Sequence, residues 1–242
     1  MIKMALPQKI LITGAALRTG RAIAIHLAQR GAKLVLHANS HYQEVLALCA
    51  SLDGDGHTCC SGNLADDSDV DKLCSIAREC DGIVLNASCY RYNYQGGDAA
   101  FDRLLEQVNY VSSVRILESF ISGNQNCGGA AVAMLDQEIS SNADNPYLAS
   151  RRALWRKMKD FAARYGKNDL RLNAVAPGPM LPPPELGDTK LVKTLPTLPL
   201  GRSVSLEDAA QCVEFLLSNR SLTGALLFAD CGQSLKNRTE IL

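Results

Sequence analysis

Short apolar runs alternate with segments of helical periodicity along nearly the whole chain. Each run has the length and composition of a β-strand, and in the segments between them apolar residues recur every three or four positions. The runs are apolar throughout, which is typical of parallel strands covered by helices on both faces. Strands are predicted at Lys9–Thr13, Lys33–His37, Thr58–Gly62, Gly82–Ala87, Gly129–Leu135, Leu170–Ala176 and Ala225–Asp230, and helices near 18–30, 42–52, 67–80, 98–122, 146–165 and 205–219.

This alternation predicts βαβ units. We expect an α/β fold with a Rossmann-type, doubly wound parallel sheet of about seven strands, in a single domain over residues 1–242. The stretch from Pro177 to about residue 200 breaks the rhythm with seven prolines. Proline continues neither a helix nor a central strand, and ligands bind beyond the carboxyl ends of such strands. The stretch is therefore predicted to be a substrate loop that acts as a lid, with a variable surface connection as the alternative.

A glycine-containing loop follows the first predicted strand. Gly14 would permit a tight turn and Gly20 a close approach of the next helix, so the backbone N–H groups around Thr19 can bind a pyrophosphate. Arg18 stands where many such loops carry a glycine, and it adds a positive charge. We interpret the loop as a dinucleotide site, and a plain strand–helix turn is the alternative.

The second predicted strand ends without the Asp or Glu that would bind the ribose 2′-hydroxyl of NAD. His37, Asn39, Ser40 and His41 stand there instead. An acid at this point would repel a 2′-phosphate, so its absence, together with Arg18, predicts NADP as the cofactor, with NADPH preferred over NADH. The alternative is that these are solvated turn residues.

Tyr147 and Arg151 lie four residues apart in a predicted helix and therefore share one face. A cation near a phenol lowers its pKa from about 10. A phenol of lowered pKa can exchange a proton with a substrate during hydride transfer. The pair alone is also common on helix surfaces.

Composition excludes several classes of partner. With 25 Lys or Arg and 25 Asp or Glu in 242 residues, the chain lacks the clustered positive charge that nucleic acids require. No apolar run reaches the about 20 residues that span a bilayer, and the start is too short and polar for a secretory signal. Nine cysteines without C-x-x-C spacing favour reduced thiols in a cytoplasmic protein. The four histidines show no ligand pattern with cysteine, so no metal is expected.

These motifs resemble the short-chain dehydrogenase/reductase family over nearly the whole chain. The resemblance implies that Tyr147 and Arg151 are catalytic and that Asn109 holds a water in a proton relay. It also implies cofactor contacts from Asn63, Leu64, Asn86, Ala87, Ser88, Pro177 and Gly178.

A closer resemblance is to the pteridine reductases, whose loop reads Thr-Gly-Ala-Ala-x-Arg-x-Gly, as in Thr13–Gly20. It implies that Asp136 stands where most of the family uses serine. It also implies that Tyr90 stacks on a flat substrate, as offset aromatic rings do. Pro179 and Met180, in the predicted substrate loop, are further candidates for substrate contact.

Two features depart from the family pattern. Arg151 replaces the lysine of Tyr-x-x-x-Lys; it keeps the positive charge but carries it on a planar guanidinium. Asp136 also precedes Tyr147 by fewer residues than is usual in the family. We predict an NADPH-dependent reductase of a small, flat substrate such as a pterin. The alternatives are a cofactor-binding protein with weak or no catalysis, or a carbonyl reductase for another ketone. The resemblance also implies a homotetramer or homodimer.

Overall fold

A computed structural model describes residues 6–181 and 189–236 of the chain. The strands are β1 (Lys9–Ile12), β2 (Lys33–Ala38), β3 (Thr58–Ser61), β4 (Gly82–Leu85), β5 (Gly129–Met134), β6 (Leu170–Pro177) and β7 (Leu226–Ala229). The helices are α1 (Arg18–Gln29), α2 (Tyr42–Ser51), α3 (Asp67–Arg78), α4 (Ala99–Glu106), α5 (Ser112–Asn124), α6 (Pro146–Tyr165), α7 (Thr189–Thr194) and α8 (Leu206–Ser218).

The seven strands form one sheet in the order β3-β2-β1-β4-β5-β6-β7. Every neighbouring pair is parallel, which confirms the predicted doubly wound α/β fold. The strand order reverses between β1 and β4. In sheets of this kind, ligands bind in the crevice beyond the carboxyl ends of the strands at this switch point.

Helices cover both faces of the sheet. Successive strand residues point to opposite faces, so Ile10 and Ile12 pack in one apolar cluster with α1 and α8. Leu11 packs in a second cluster with α3, α5 and α6. The two clusters hold the carboxyl ends of the strands at one edge, where the predicted site residues lie.

Two segments differ from the prediction. The segment predicted as one helix over 98–122 is divided by a π-helical turn at Gln107–Val111. Such a turn changes the helical winding only locally and leaves the apolar periodicity nearly intact, so the sequence pattern does not reveal it. The proline-rich stretch was expected to be irregular, but it contains α7 and a 3-10 turn at Leu195–Thr197. Residues 189–195 contain no proline, so a short helix can form there. Pro182–Pro184, at the centre of the predicted lid, lie outside the described residues.

No helix in the described ranges combines the length and apolar character needed to cross a membrane. Within the same ranges, His, Cys, Asp and Glu side chains form no group of three that could hold a metal ion.

Candidate active site

The glycine loop is fastened to the end of β4. The buried Thr13 hydroxyl accepts hydrogen bonds from the backbone N–H groups of Asn86 (3.0 Å) and Ala87 (3.1 Å). The Asn86 side chain donates to the carbonyls of Thr13 (3.1 Å) and Gly14 (2.9 Å). A Cβ at Gly20 would lie 2.1 Å from the Gly14 carbonyl oxygen. Close packing therefore requires glycine at position 20, the φ of +66° favours glycine at position 14, and Asn86 holds the loop in shape.

Helix α1 begins at this loop without a side-chain cap, because Leu17 precedes it. Its first backbone N–H groups therefore lack the partner that Asp66 supplies to α3 or Ser205 to α8. Arg18 has a φ of +49°, the left-handed region that favours glycine. This explains why glycine is common at that position in such loops. The exposed Arg18 guanidinium approaches the Leu181 carbonyl (3.5 Å).

His37 does not have the donor role that the sequence suggested. Its Nδ1 accepts from the Gly14 N–H (3.3 Å), and its Nε2 donates to the Gly62 carbonyl (2.9 Å). These partners fix a neutral tautomer, and burial lowers the pKa of His37. His37 therefore joins the glycine loop to the end of β3 and has no ring nitrogen left for a phosphate.

The other residues predicted to contact the cofactor lie near the carboxyl ends of β2 and β3. Asn39 and Ser40 are exposed, as is His41. The Asn63 side chain accepts from the Ala65 N–H (2.9 Å), which leaves it one acceptor position. Leu64 is buried in the core.

Helix α6 presents Tyr147 at its first turn. The Asn145 side chain caps the helix by accepting from the Leu148 N–H (2.9 Å), and Pro146 occupies the first helical position, where its missing N–H costs nothing. The Tyr147 hydroxyl lies 3.5 Å from Asp136 Oδ2. The Tyr90 ring meets the Tyr147 ring edge-on, with centroids 4.9 Å apart.

The predicted lowering of the Tyr147 pKa is wrong. Burial raises the pKa of Tyr147, and the nearby Asp136 carboxylate raises it further. Arg151 and a hydrogen bond from Ser88 act in the opposite direction, but they are outweighed. The phenol therefore stays protonated well above neutral pH.

Arg151 lies one turn further along α6 and is only 2% exposed. Its Nη2 donates to the Met134 carbonyl at the end of β5. Neither Nε nor Nη1 has a hydrogen-bond partner among the described residues. Burial lowers the pKa of Arg151, while Tyr147 and Asp136 oppose that shift.

The Asn109 side chain hydrogen-bonds within the protein, and its role in a water relay stays a prediction. It is fully buried in the π-helical turn. Its oxygen accepts from Cys89 N (2.7 Å) and Ser88 Oγ (3.3 Å), and its nitrogen donates to Cys89 O (2.9 Å) and Ser150 Oγ (3.3 Å). All four hydrogen-bonding positions of the amide are thus filled. Asn109 ties the segment after β4 to α6, next to Tyr147.

Two cavities meet at the tyrosines. One has a volume of about 410 Å³ and the other about 330 Å³. Both are lined by Tyr90, Asp136, Tyr147, Pro177, Gly178, Pro179 and Leu181. We call the larger the first cavity and the smaller the second cavity.

The second cavity is also lined by glycine-loop residues and by Arg151, and it therefore has donors suited to a nucleotide. Its lining residues beyond the shared ones include Arg18, Thr19, Asn86, Ser88, Met134, Met180 and Arg151. The first cavity extends away from that loop toward Arg91, Tyr94, Gln137 and Gln233. No motif in the sequence marks these four residues. The only available signal for Gln137 is that it directly follows Asp136.

The comparisons agree with this geometry. The family model described as enoyl-(acyl carrier protein) reductase matches residues 14–234. The uncharacterized oxidoreductase YmfI of Bacillus subtilis is 27% identical over 92% of this chain and 97% of its own length. The 3-oxoacyl-[acyl-carrier-protein] reductase FabG of Aggregatibacter actinomycetemcomitans is 27% identical over 88% of this chain and 93% of its own.

Among solved structures, FolM alternative dihydrofolate reductase 1 from Brucella suis, in complex with NADP, superposes with a TM-score of 0.84. It is 28% identical, and the match covers 94% of this chain and 95% of that one. The protein therefore belongs to the short-chain dehydrogenase/reductase family of NAD(P)-dependent oxidoreductases.

Proposed function

We propose that the protein is an NADPH-dependent reductase that transfers hydride to a small, flat substrate such as a pterin. One observation carries the proposal: Tyr147, Asp136 and Tyr90 meet where the two cavities join. The likeness to a FolM dihydrofolate reductase solved with NADP supports both the cofactor and the substrate class.

The second cavity offers groups suited to the pyrophosphate and nicotinamide half of a dinucleotide. The uncapped N-terminus of α1 offers backbone N–H groups to a pyrophosphate, and Arg18 lies at the same cavity with a positive charge for a 2′-phosphate. The two unpartnered nitrogens of Arg151 are donors for ribose hydroxyls. Bound NADPH would supply the hydride.

Tyr147 suits the role of proton donor. At neutral pH the hydroxyl carries its proton, since an ordinary tyrosine has a pKa of about 10, and it can give that proton to a substrate nitrogen or oxygen that gains negative charge. Asp136, at 3.5 Å, lies on the path from the first cavity to that hydroxyl. Asp136 can therefore return a proton to Tyr147 after each turnover.

Tyr90 provides a face for a flat ring. It is 53% exposed in the absence of ligand, and it lines both cavities. An aromatic or heteroaromatic ring that packs against Tyr90 would cover apolar surface and gain an offset contact. We also predict that the protein assembles as a homodimer or homotetramer in the cytoplasm.

The test is NADPH oxidation with a dihydropterin, a quinone and a β-ketoacyl thioester. Tyr147→Phe should lower kcat with the preferred substrate by about 100-fold or more, the usual contribution of a positioned acid, and leave NADPH binding intact. The matched control is Tyr165→Phe at the opposite end of α6. Full activity in Tyr147→Phe contradicts the mechanism. Binding of NADPH without oxidation of any substrate favours a cofactor-binding protein, and turnover of the thioester alone favours a carbonyl reductase.

A further inference from the structure

Two 3-10 turns form one wall of the first cavity. One turn, Gln137–Ser140, follows Asp136, and the other, Gln233–Lys236, follows β7. The two turns pack against each other. Each begins with a glutamine whose side chain lines the cavity.

Both glutamines have an unused acceptor. The Oε1 atoms of Gln137 and Gln233 are buried, and neither has a hydrogen-bond partner among the described residues. Gln137 is only 4% exposed. A buried acceptor without a donor costs stability. Because these two acceptors lie at a cavity wall, we expect a bound ligand to supply the missing donors. A half-turn about the last side-chain bond exchanges the oxygen and nitrogen of an amide with little change of shape, and such a turn would let each oxygen meet a ligand in the cavity.

The backbone holds both turns firmly. Asp136 Oδ1 accepts from the Glu138 N–H (2.8 Å), which caps the first turn. The Asp230 carboxylate accepts from the N–H groups of Gly232 (3.0 Å) and Ser234 (2.6 Å), which fixes the second. Positions held in this way are pre-organised to recognise a ligand.

The donors on the opposite wall already have partners. Arg91 pairs with Asp98 (3.4 Å) and lies over the Phe101 ring. The Tyr94 hydroxyl donates to Asp102 (2.7 Å). Arg91 and Tyr94 are therefore engaged with their neighbours, whereas the two glutamine oxygens are the acceptors without a partner among the described residues.

We propose that Gln137 and Gln233 determine specificity by accepting hydrogen bonds from an N–H edge of the substrate. The protein then selects nitrogen heterocycles that carry ring N–H and amino groups over ketones of the same size. This inference rests on the proposed reductase function, and it names the chemistry by which that site recognises its substrate.

The experiment compares 6-methyl-7,8-dihydropterin with its 2-desamino analogue, which lacks the exocyclic amino donor. The wild-type protein should show a kcat/KM about tenfold higher for the amino compound, the value of one or two neutral hydrogen bonds. In Gln137→Met/Gln233→Met, which removes both acceptors at similar side-chain length, the ratio should fall to about one.

Three further measurements separate recognition from folding. Gln137→Glu keeps an acceptor oxygen and should keep the preference, whereas Gln211→Met, on the exposed face of α8, should change nothing. Pterin fluorescence, titrated with the NADP-loaded protein, reports binding without turnover. The amino compound should bind more tightly than its analogue to the wild type but not to the double variant.

The outcomes are distinct. An unchanged ratio in the double variant, or an equal loss with both substrates, overturns the role of the glutamines while the reductase function stands. Oxidation of NADPH by ketones alone overturns the heterocycle preference. If no substrate is reduced, the proposed function fails, and the fluorescence titration still decides whether the glutamines recognise the amino group.

Discussion

Replacing Arg151 with methionine should stabilise the ligand-free protein and remove its stabilisation by NADPH. The guanidinium is buried at 2% exposure, yet Nε and Nη1 have no hydrogen-bond partner among the described residues. A group that is costly to bury and only partly satisfied is typical of a ligand site. Methionine fills a similar volume without polar atoms and adapts to irregular gaps.

The magnitude follows from the hydrogen bonds. Two unsatisfied buried donors cost about 2–6 kcal/mol together, and the lost charged bond to the Met134 carbonyl is worth about 1.5–3 kcal/mol. The middle of these two ranges gives a net gain of about 2 kcal/mol in the free energy of unfolding for Arg151→Met without ligand. Whole buried ion pairs that are replaced by apolar residues show gains of about 1–4 kcal/mol.

The assay is urea unfolding with and without NADPH. At a concentration of about 100 times Kd, NADPH should raise the free energy of unfolding of the wild type by about 2.7 kcal/mol. Arg151→Met should show little or none of this increase. The two proteins should therefore exchange their order of stability when the nucleotide is added.

Arg152 provides the control. It is the next residue of α6, and its guanidinium donates to the backbone carbonyls of Ile139, Glu138 and Ser141. Arg152→Met should destabilise the protein and leave the NADPH effect unchanged. If Arg151→Met also destabilises the free protein and keeps the full NADPH effect, Arg151 is a structural residue and our interpretation of the second cavity is refuted.

Three further predictions concern single substitutions. Arg18→Gly should remove the strain of a non-glycine residue in the left-handed region and stabilise the protein by about 0.5–1 kcal/mol, which Tm measures. The preference for NADPH over NADH should fall about tenfold because a charged hydrogen bond is lost, and the KM values for the two nucleotides measure this. Asp136→Asn should lower the pKa of Tyr147, because the nearby negative charge of Asp136 raises it. The ultraviolet titration of tyrosines measures this pKa when the curve of Tyr147→Phe is subtracted as a reference. Burial lowers the pKa of His37 in the folded protein, so the contribution of this group to stability is fully present above about pH 6.5 and falls as the pH drops below it. In His37→Gln this part of the pH dependence should vanish from the free energy of unfolding measured between pH 5 and 8.

The sequence predicted the sheet and the glycine loop because both depend on local signals. Apolar runs specify strands, and the positions of Gly14 and Gly20 reflect the contacts that a Cβ would violate. The hydrogen-bond partners of His37 and Asn109 could not be predicted because they come from distant segments. Gly62 lies 25 residues from His37, and Ser150 lies 41 residues from Asn109. Gln137 and Gln233 could not be found for the same reason, since their turns meet only in the folded chain.

The direction of the Tyr147 pKa has a consequence for the proton path. The family resemblance implied a relay through a water at Asn109, whose side chain hydrogen-bonds to Ser88, Cys89 and Ser150. Arg151 cannot pass on a proton because a guanidinium stays charged in proteins. Asp136 and Ser88 remain as side chains beside the phenol: the Asp136 carboxylate lies 3.5 Å from the hydroxyl and lines the first cavity with it, and Ser88 hydrogen-bonds to the phenol. A proton that reaches Tyr147 by way of Asp136 passes through the cavity that the substrate is proposed to occupy. We therefore expect Asp136→Asn to lower kcat by slowing the return of a proton to Tyr147, and an unchanged kcat in this variant refutes that path.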